Sequence, residues 1–347
     1  MSGERTLVIS LQGAGNLVMA TPMIRSLSLS GRSVHLVAAT RAVAEFMSGA
    51  PWIDSVSWPR PGPWGIASMG RLLRNERFST SVSCYPNGRR AAFLARAVKS
   101  PERVGFPEGL PFWLRSVYST DIAVEPGLHD VEQNLRILDA LGVPRPSDAT
   151  PSVVVADADR EAAARLLAGA GAGPAGLVVA VHPGGAATGT FRRWPADAYA
   201  ELAARIAGEL DATVVLIGDA SERQLLERIS EGAGAGTVVA ATESLGQSAA
   251  VMEKSSVVVG NDSGPLHIAA ALRVPVVGIY GPTDESRTAP YGGGHVVLTA
   301  DIRCRPCYEF GAAFSCRHET LRCLELVSVN DVFDAVRKRL AAGATGS

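Results

Sequence analysis

The chain of 347 residues lacks any long uninterrupted apolar run. Residues 7–11 form an apolar segment that is far too short to cross a bilayer, which takes about 20 residues. The longer apolar stretch 17–24 is interrupted by Thr21 and Pro22, and neither segment has the pattern of a secretory signal. We therefore expect a cytoplasmic protein without a transmembrane helix.

Charged residues are also scarce, at 19% of the chain, whereas hydrophobic residues make up 47%. This balance excludes a disordered protein, and the length is sufficient for two domains with a core each. The net charge is −1 and no nucleic-acid-binding signature is present. Nucleic acid is therefore not an expected partner.

One region departs from this neutrality. Residues 41–115 contain eleven Arg or Lys residues and five acidic residues. Such an excess of positive charge suits an anionic acceptor molecule or contact with a phospholipid surface. The alternative interpretation is that Arg serves only as a solubilising residue in an Ala- and Gly-rich chain.

Cysteines are few, and four of the five lie close together, at Cys304, Cys307, Cys316 and Cys323. Disulfides are not expected in a cytoplasmic protein. This spacing is compatible with a zinc site, although the second pair lacks the tight spacing of zinc ribbons, and reduced thiols are the interpretation that we prefer. Cys84 lies on a predicted strand and is expected in the core.

Strand and helix patterns alternate along the whole chain, which predicts an α/β protein with two doubly wound, Rossmann-like domains. Residues 168–176 consist almost entirely of Ala and Gly and are the predicted linker. The predicted domains are residues 1–167 and 177–328, followed by a C-terminal helical segment, 329–347.

A turn rich in small residues follows the predicted strand 257–259. It contains Asp262, Ser263 and Gly264, and His267 lies one turn into the helix that follows. Backbone N–H groups at such a helix start, together with the helix dipole, bind phosphate. The alternative is an ordinary turn in which Asp262 or Ser263 caps the helix.

A second turn of the same kind follows the predicted strand 177–181. It holds Gly184, Gly185 and Thr188, and then Arg192 and Arg193 before a helical pattern over residues 196–210. Guanidinium groups bind phosphate bidentately. Two phosphate-compatible turns in one half of the chain predict a nucleotide-diphosphate ligand.

The first half contains Gly13 and Gly15 after the strand 6–11, but it does not fit a dinucleotide-binding motif. The third glycine of that motif would fall at Val18, and the second strand, 34–38, ends without an acidic residue for the ribose. We expect this loop to approach sugar and acceptor instead.

These segments resemble the family-9 glycosyltransferases, which include the ADP-heptose:lipopolysaccharide heptosyltransferases. The matching pieces are His182-Pro183-Gly184, residues 192–195, 218–222, 244–245 and 262–267, Tyr280-Gly281-Pro282-Thr283 and, in the first half, residues 15–22, 103–106 and 129–135. The resemblance implies a GT-B fold, with two Rossmann-like domains facing a central cleft and the C-terminal helix packing back on the first domain.

The resemblance further implies an inverting, metal-independent enzyme without a cofactor, whose donor substrate is an ADP-sugar, ADP-heptose by analogy. By the same resemblance the acceptor is an anionic glycolipid such as a lipopolysaccharide core sugar, and the basic region makes peripheral contact with the inner membrane face a further expectation. The alternatives are a tailoring enzyme for a soluble natural product and a catalytically weak relative that binds sugar nucleotides.

The implied donor-binding residues of the second domain are Gly184, Gly185, Thr188, Arg192, Arg193, Gly218, Glu222, Ser244, Asp262, Ser263, Gly264 and His267. The candidate acceptor-binding residues of the first domain are Gly13 and Gly15 in the loop after the first strand and Arg89 and Arg90 in the basic region.

The chain departs from the family at the position of the catalytic base. By resemblance an aspartate is expected where this chain has Asn16, and an amide does not usefully accept a proton near neutral pH. The candidate bases are Asp130, His129 and Glu132. Alternatively, stabilisation of the leaving diphosphate carries most of the rate.

Two proline-rich aromatic segments, 58–64 and 106–113, remain. Pro and Gly predict loops there, on which the tryptophans contact an acceptor, touch a membrane interface or cap the core.

Overall fold

The computed structural model describes residues 4–62, 64–169, 171–172, 176–185, 187–308, 314–318 and 320–344, without the side chains of residues 187, 188, 343 and 344. The chain divides into two compact units, Met1–Val154 and Val155–Ser347. Each unit is built around a six-stranded parallel sheet. The predicted α/β class with two Rossmann-like domains, the architecture of the GT-B fold, is confirmed.

The first unit has the strand order β3-β2-β1-β4-β5-β6. Its strands are β1 (Arg5–Ser10), β2 (Ser33–Ala38), β3 (Ser55–Ser57), β4 (Thr80–Ser83), β5 (Glu102–Gly105) and β6 (Thr120–Asp121). Its helices are α1 (Ala14–Leu29), α2 (Arg41–Met47), α3 (Gly65–Arg74), α4 (Arg89–Val98), α5 (Phe112–Arg115) and α6 (Asp130–Ala140).

The second unit repeats this topology, with the order β12-β11-β10-β7-β8-β9. Its strands are β7 (Leu177–His182), β8 (Ala212–Gly218), β9 (Thr237–Ala241), β10 (Val257–Asn261), β11 (Val276–Tyr280) and β12 (Val296–Thr299). Its α-helices are α7 (Asp157–Gly169), α8 (Ala196–Leu210), α9 (Arg223–Ala233), α10 (Leu245–Glu253), α11 (Gly264–Ala271), α12 (Glu285–Thr288), α13 (Arg322–Glu325) and α14 (Val329–Ala344). Short 3₁₀ segments cover Ala187–Arg192 and Ala220–Glu222.

The central strands of the second unit are runs of β-branched residues because helices cover both faces of the sheet. β7 pairs with β8 on one side and with β10 on the other, so that Val179 lies opposite Val214 and Val257. Trp194 and Tyr199 pack edge to face, with ring centroids 5.0 Å apart, in the core beside these strands. The start of α8 is thereby fixed against the sheet.

The unit boundary differs from the predicted one. Helix α7, which the prediction assigned to the first domain, belongs to the second unit, where it packs on α10 and Arg160 pairs with Glu253 at 2.8 Å. The predicted linker 168–176 includes residues 170 and 173–175, which lie outside the described part of the chain. The first two residues of this Ala- and Gly-rich stretch are the last two residues of α7. The boundary between the two compact units lies near residue 154, before α7.

The C-terminal helix, expected from the resemblance to pack back on the first domain, is clustered with the second unit, and its packing on the first domain stays a prediction. α14 belongs to the second unit and packs against α8 and the strands β10, β11 and β12. Its apolar face, with Val332, Phe333 and Val336, lies in the core of that unit. Among the described helices, none is both long and apolar enough to span a bilayer.

The aromatic segments are not entirely loops. Phe112 and Trp113 begin the short helix α5, and Trp64 occupies the N-cap position of α3. The side chains of Trp64 and Phe112 are 80% and 84% exposed, so these two rings do not cap the core.

Candidate functional site

The carboxyl ends of three neighbouring strands form one edge of the second sheet. The parallel strands β10, β7 and β8 lie side by side and end at Asn261, His182 and Gly218. The strand order reverses between β7 and β10, and open α/β sheets bind ligands at such a switch point. All but one of the predicted donor-binding residues follow these strands directly, and Ser244 follows the outer strand β9.

An ion pair joins the turns that follow β7 and β10. Arg192 Nη1 lies 3.3 Å from Asp262 Oδ2, and Asp262 is buried. The Nε atoms of Arg192 and Arg193 are also buried, and neither has an acceptor among the described residues. Arg192 is therefore held by one carboxylate while it keeps donors for an anion such as a phosphate.

The start of helix α11 lies at the same edge. Ser263 occupies the N-cap position, but its hydroxyl makes no capping hydrogen bond and lies 3.4 Å from His182 Nδ1. Ser263 therefore does not cap α11 through its side chain, and the Asp262 carboxylate is used by Arg192.

Glu222 organises the turn after β7 from the neighbouring strand. Its carboxylate accepts the N–H groups of Gly185, at 2.6 Å, and of Asp219, at 3.1 Å. His182 Nε2 lies 3.6 Å and Arg193 Nη2 lies 3.7 Å from the same carboxylate. Burial alone raises the pKa of Glu222, but His182 and the two N–H donors outweigh it and hold this pKa at about 2.

Close packing against Glu222 explains two glycines. A Cβ atom at Gly184 would overlap the Glu222 carboxylate, and one at Gly218 would lie 2.8 Å from Glu222 Oε2. Gly185 has φ of +144°, which favours glycine. Arg193 donates a hydrogen bond to the carbonyl of Gly185. The glycine pattern thus shapes the turn around a fixed carboxylate.

Asn261, the last residue of β10, links both turns to helix α8. Its Oδ1 accepts the Trp194 N–H at 2.8 Å and the Tyr199 hydroxyl at 2.9 Å. Its Nδ2 donates to the carbonyls of Pro183, at 2.8 Å, and Gly184, at 3.0 Å. The amide is buried and has two donors and two acceptor sites, all of which are used. Sequence analysis does not predict this role of Asn261. The signal that could have indicated it is a polar amide side chain at the end of an otherwise apolar strand.

The segment Tyr280-Gly281-Pro282-Thr283 extends the edge along β11. Arg305 holds it, since its Nε donates to the Gly281 carbonyl at 2.9 Å and its Nη2 lies 2.7 Å from Glu285 Oε2. Within the described part of the chain, the buried Thr283 hydroxyl has no partner. The Thr283 hydroxyl group is therefore a further unused hydrogen-bonding group at this edge.

Three further predicted donor residues differ in their placement. The hydroxyl of Ser244 caps α10 by accepting the Gln247 N–H at 3.1 Å. His267 is buried on α11. The side chain of Thr188 lies outside the described residues. Their contacts with a donor stay predictions.

The predicted acceptor residues also share one edge, in the first unit. Gly13 is the N-cap of α1, and Gly15 and Asn16 lie in its first turn. Arg89 and Arg90 begin α4 and are exposed. Both helices follow central strands, β1 and β4, that pair in parallel. The half-buried side chain of Asn16 makes no hydrogen bond within the described part of the chain.

The candidate bases lie at the start of α6. His129 is the N-cap, and its Nδ1 accepts the Val131 N–H at 3.1 Å. The lone pair of Nδ1 is thereby used in the cap. Glu132 pairs with Arg145 at 3.2 Å. Asp130 is buried in the first turn of the helix.

The cysteine cluster remains a set of free thiols. Cys304, Cys307, Cys316 and Cys323 form no disulfide. Across the described ranges, no group of three or more His, Cys, Asp or Glu side chains is placed to hold a metal ion. Burial and the neighbouring Cys304 and Cys316 raise the pKa of Cys307. Cys84 is buried as predicted, and burial raises its pKa to about 12.

Comparison with known protein families gives one decisive match. The model of glycosyltransferase family 9 (heptosyltransferase) matches residues 66–318, which is more than half of the chain. The chain belongs to glycosyltransferase family 9.

Curated family-9 relatives are similar over parts of their length. Lipopolysaccharide heptosyltransferase 1 of Pseudomonas aeruginosa is 31% identical over 40% of this chain and 39% of its own. Lipopolysaccharide core heptosyltransferase OpsX of Haemophilus influenzae is 24% identical over 71% of this chain and 69% of its own. The alignment with the first relative therefore spans well under half of that protein.

Solved structures share the family-9 fold over nearly the whole chain. The family-9 glycosyltransferase of Veillonella parvula has a TM-score of 0.82 and 21% identity, covering 99% of both chains. The Escherichia coli ADP-heptose lipopolysaccharide heptosyltransferase II has a TM-score of 0.77 and 20% identity, covering 98% of this chain and 99% of its own. E. coli heptosyltransferase WaaC with ADP has a TM-score of 0.72 and 19% identity, covering 96% and 99%.

Proposed function

We propose that this family-9 chain transfers a sugar, heptose, from an ADP-sugar to a hydroxyl group of a lipopolysaccharide core sugar. The observation that carries the proposal is the edge of the second sheet, where Arg192 pairs with Asp262 just before α11 and Arg193 contacts the Gly185 turn. The names of the relatives support heptose and lipopolysaccharide, and those of the two E. coli structures support ADP.

In this proposal the diphosphate of the donor binds at that edge. The guanidinium groups of Arg192 and Arg193 contact its oxygens, and the α11 dipole adds a favourable field. Asp262 keeps Arg192 in position, and Glu222 keeps the turn around Gly185 in shape. The donor therefore enters a site whose charged groups are already oriented, which lowers the entropic cost of binding.

The reaction is a single displacement. The acceptor oxygen forms a bond to the anomeric carbon of the sugar while the bond from that carbon to the diphosphate oxygen breaks, and ADP leaves with the electron pair. Attack opposite the leaving group inverts the anomeric configuration. Negative charge develops on the diphosphate, where the two arginines, rather than a divalent cation, stabilise it.

The acceptor binds to the first unit in this proposal, and Asp130 accepts the proton of the acceptor hydroxyl group. Asn16 does not accept a proton usefully, the His129 ring is used as a cap and Glu132 is paired with Arg145. Asp130 is a carboxylate at the start of α6, one of the segments by which the chain resembles the family in this unit, and a carboxylate accepts a proton at neutral pH. Arg89 and Arg90 suit the anionic groups of a lipopolysaccharide core.

Incubation with ADP-heptose and a heptose-free lipopolysaccharide core tests the function. We expect release of ADP and a product whose anomeric configuration, read by NMR, is inverted. ADP-, UDP-, GDP- and dTDP-sugars are compared as donors, with titration calorimetry for affinity. Preference for another nucleotide contradicts the donor assignment, retention of configuration contradicts the mechanism, and binding of ADP-heptose without turnover favours a catalytically weak relative.

A further inference from the structure

An exposed apolar surface lies on the first unit. Phe93, Phe112 and Trp113 are 44%, 84% and 49% exposed. The rings of Phe93 on α4 and Trp113 on α5 have centroids 5.5 Å apart, so the two helices present one continuous aromatic area. Aromatic rings left in water in this way mark a site of contact with a protein or a membrane.

Arginines surround these rings. Arg89, Phe93 and Arg96 follow one another at intervals of four and three residues on α4, which places them on one side of the helix, and all three are exposed. We call Arg89, Phe93, Arg96, Phe112 and Trp113 the aromatic–arginine face.

No acidic residue of α4 or α5 balances the positive charge of this face. α4 and α5 contain no acidic residue, and residues 77–101 contain five basic residues and none that is acidic. Neither Arg89 nor Arg96 has a carboxylate partner among the described residues. In contrast, the side chain of Arg103 in the same basic region is used internally, with its Nε 2.6 Å from the Val117 carbonyl.

We propose that the aromatic–arginine face docks the protein on an anionic phospholipid surface. Aromatic side chains insert at the level of the head groups, and arginines nearby pair with lipid phosphates. A second copy of the chain fits less well, because a two-fold interface would bring arginines against arginines. This inference does not rest on the proposed reaction, since it follows from exposure and charge alone.

The proposal gives expected sizes for the effects of single substitutions. Each basic residue near an anionic bilayer strengthens binding by about fivefold, so Arg96→Gln should weaken vesicle binding by about that factor. Phe112 is the most exposed ring, and Phe112→Ser should weaken binding by about tenfold or more. Neither residue belongs to the proposed donor or acceptor site.

Cosedimentation of the full-length chain with vesicles tests the proposal. Vesicles of phosphatidylcholine with 30 mol% phosphatidylglycerol, a composition of roughly physiological anionic charge, are compared with pure phosphatidylcholine. We expect binding to the anionic vesicles only, loss of binding at high salt, and the reductions above. Leu29→Ser and Arg165→Gln are matched controls, since Leu29 is 80% exposed at the end of α1 and the Arg165 side chain is 73% exposed in the second unit. Both controls should bind like the wild type.

Tryptophan fluorescence gives an independent readout. Anionic vesicles should shift the emission to the blue, and Trp113→Phe should remove most of the shift while binding is retained. Equal binding of the wild type, Phe112→Ser and Arg96→Gln overturns the proposal, as does an absence of binding to anionic vesicles. Concentration-dependent dimerisation that Phe112→Ser abolishes, without vesicle binding, would assign the face to a second copy instead.

Discussion

The same edge of the two sheets is built differently. In the second unit, Asn261 makes four hydrogen bonds and Glu222 two, and these contacts fix the turns that carry Arg192 and Asp262. In the first unit, Arg89 and Arg90 project into solvent, and Asn16 makes no side-chain hydrogen bond within the described residues.

The comparison separates two strategies of recognition. A network of buried hydrogen bonds fixes charged groups in one arrangement and suits a ligand with an invariant part, such as a nucleotide diphosphate. Exposed arginines on a helix start adapt to anionic groups at varied positions. We therefore expect substitutions in the second unit to change stability and donor affinity, and substitutions in the first unit to change turnover.

The largest expected effect belongs to the first unit. Asp130→Asn should lower kcat about 10²- to 10⁴-fold, because it removes the proposed proton acceptor and keeps the shape of the side chain. ADP release in the presence of acceptor measures it. Asp139→Asn is the control on the same helix, since that side chain is 52% exposed, and it should leave kcat unchanged. Unchanged kcat in Asp130→Asn would show that the proton leaves to water or to the acceptor itself.

Asn261→Leu should lower the free energy of unfolding by about 3 kcal/mol, because the buried partners of Asn261 lose their hydrogen bonds at almost constant side-chain volume. Urea denaturation measures this change. Asn330→Leu, at an exposed position on α14, should stay within about 0.5 kcal/mol of the wild type. If both variants are equally stable, the second edge is not organised by this amide.

Arg192→Ala should weaken ADP binding by about 10- to 150-fold, the range for the loss of a charge-assisted contact. Titration calorimetry measures the affinity. Arg165→Ala removes an exposed arginine of the same unit and should have no effect. An unchanged affinity in Arg192→Ala would show that the diphosphate binds at a site other than this edge.

The smallest effect is expected for Asn16→Asp. If the base lies elsewhere, this substitution should change kcat by no more than about threefold. Steady-state kinetics with saturating donor and acceptor decide the matter. A hundredfold acceleration would mean that the wild-type chain lacks its base at this position and is a weak enzyme.

The sequence predicted the fold class and the contents of the second edge because both depend on local pattern. The carboxyl ends of parallel strands lie at one edge, so the turns after 177–181 and 257–259 were expected at the same edge, and the pairing of β7 with β10 makes them neighbours. The structural roles of Asn261 and Glu222 were not predicted, since their partners are up to 78 residues away in the chain.

The unit boundary shows a second limit of sequence patterns. Composition predicted a linker at 168–176, but the assignment of α7 and α14 to a unit depends on the face that each helix buries. Only the packing of Phe333 and Val336 into the second core decides the position of α14.

Hydrogen exchange of backbone amides, measured with and without saturating ADP, tests the central claim most directly. A preformed donor edge predicts slower exchange in peptides that cover residues 183–193 and 261–267, with no change in peptides that cover 85–92 and 128–134. Protection of the first-unit peptides with none in the second unit would contradict the assignment of the donor to the second sheet.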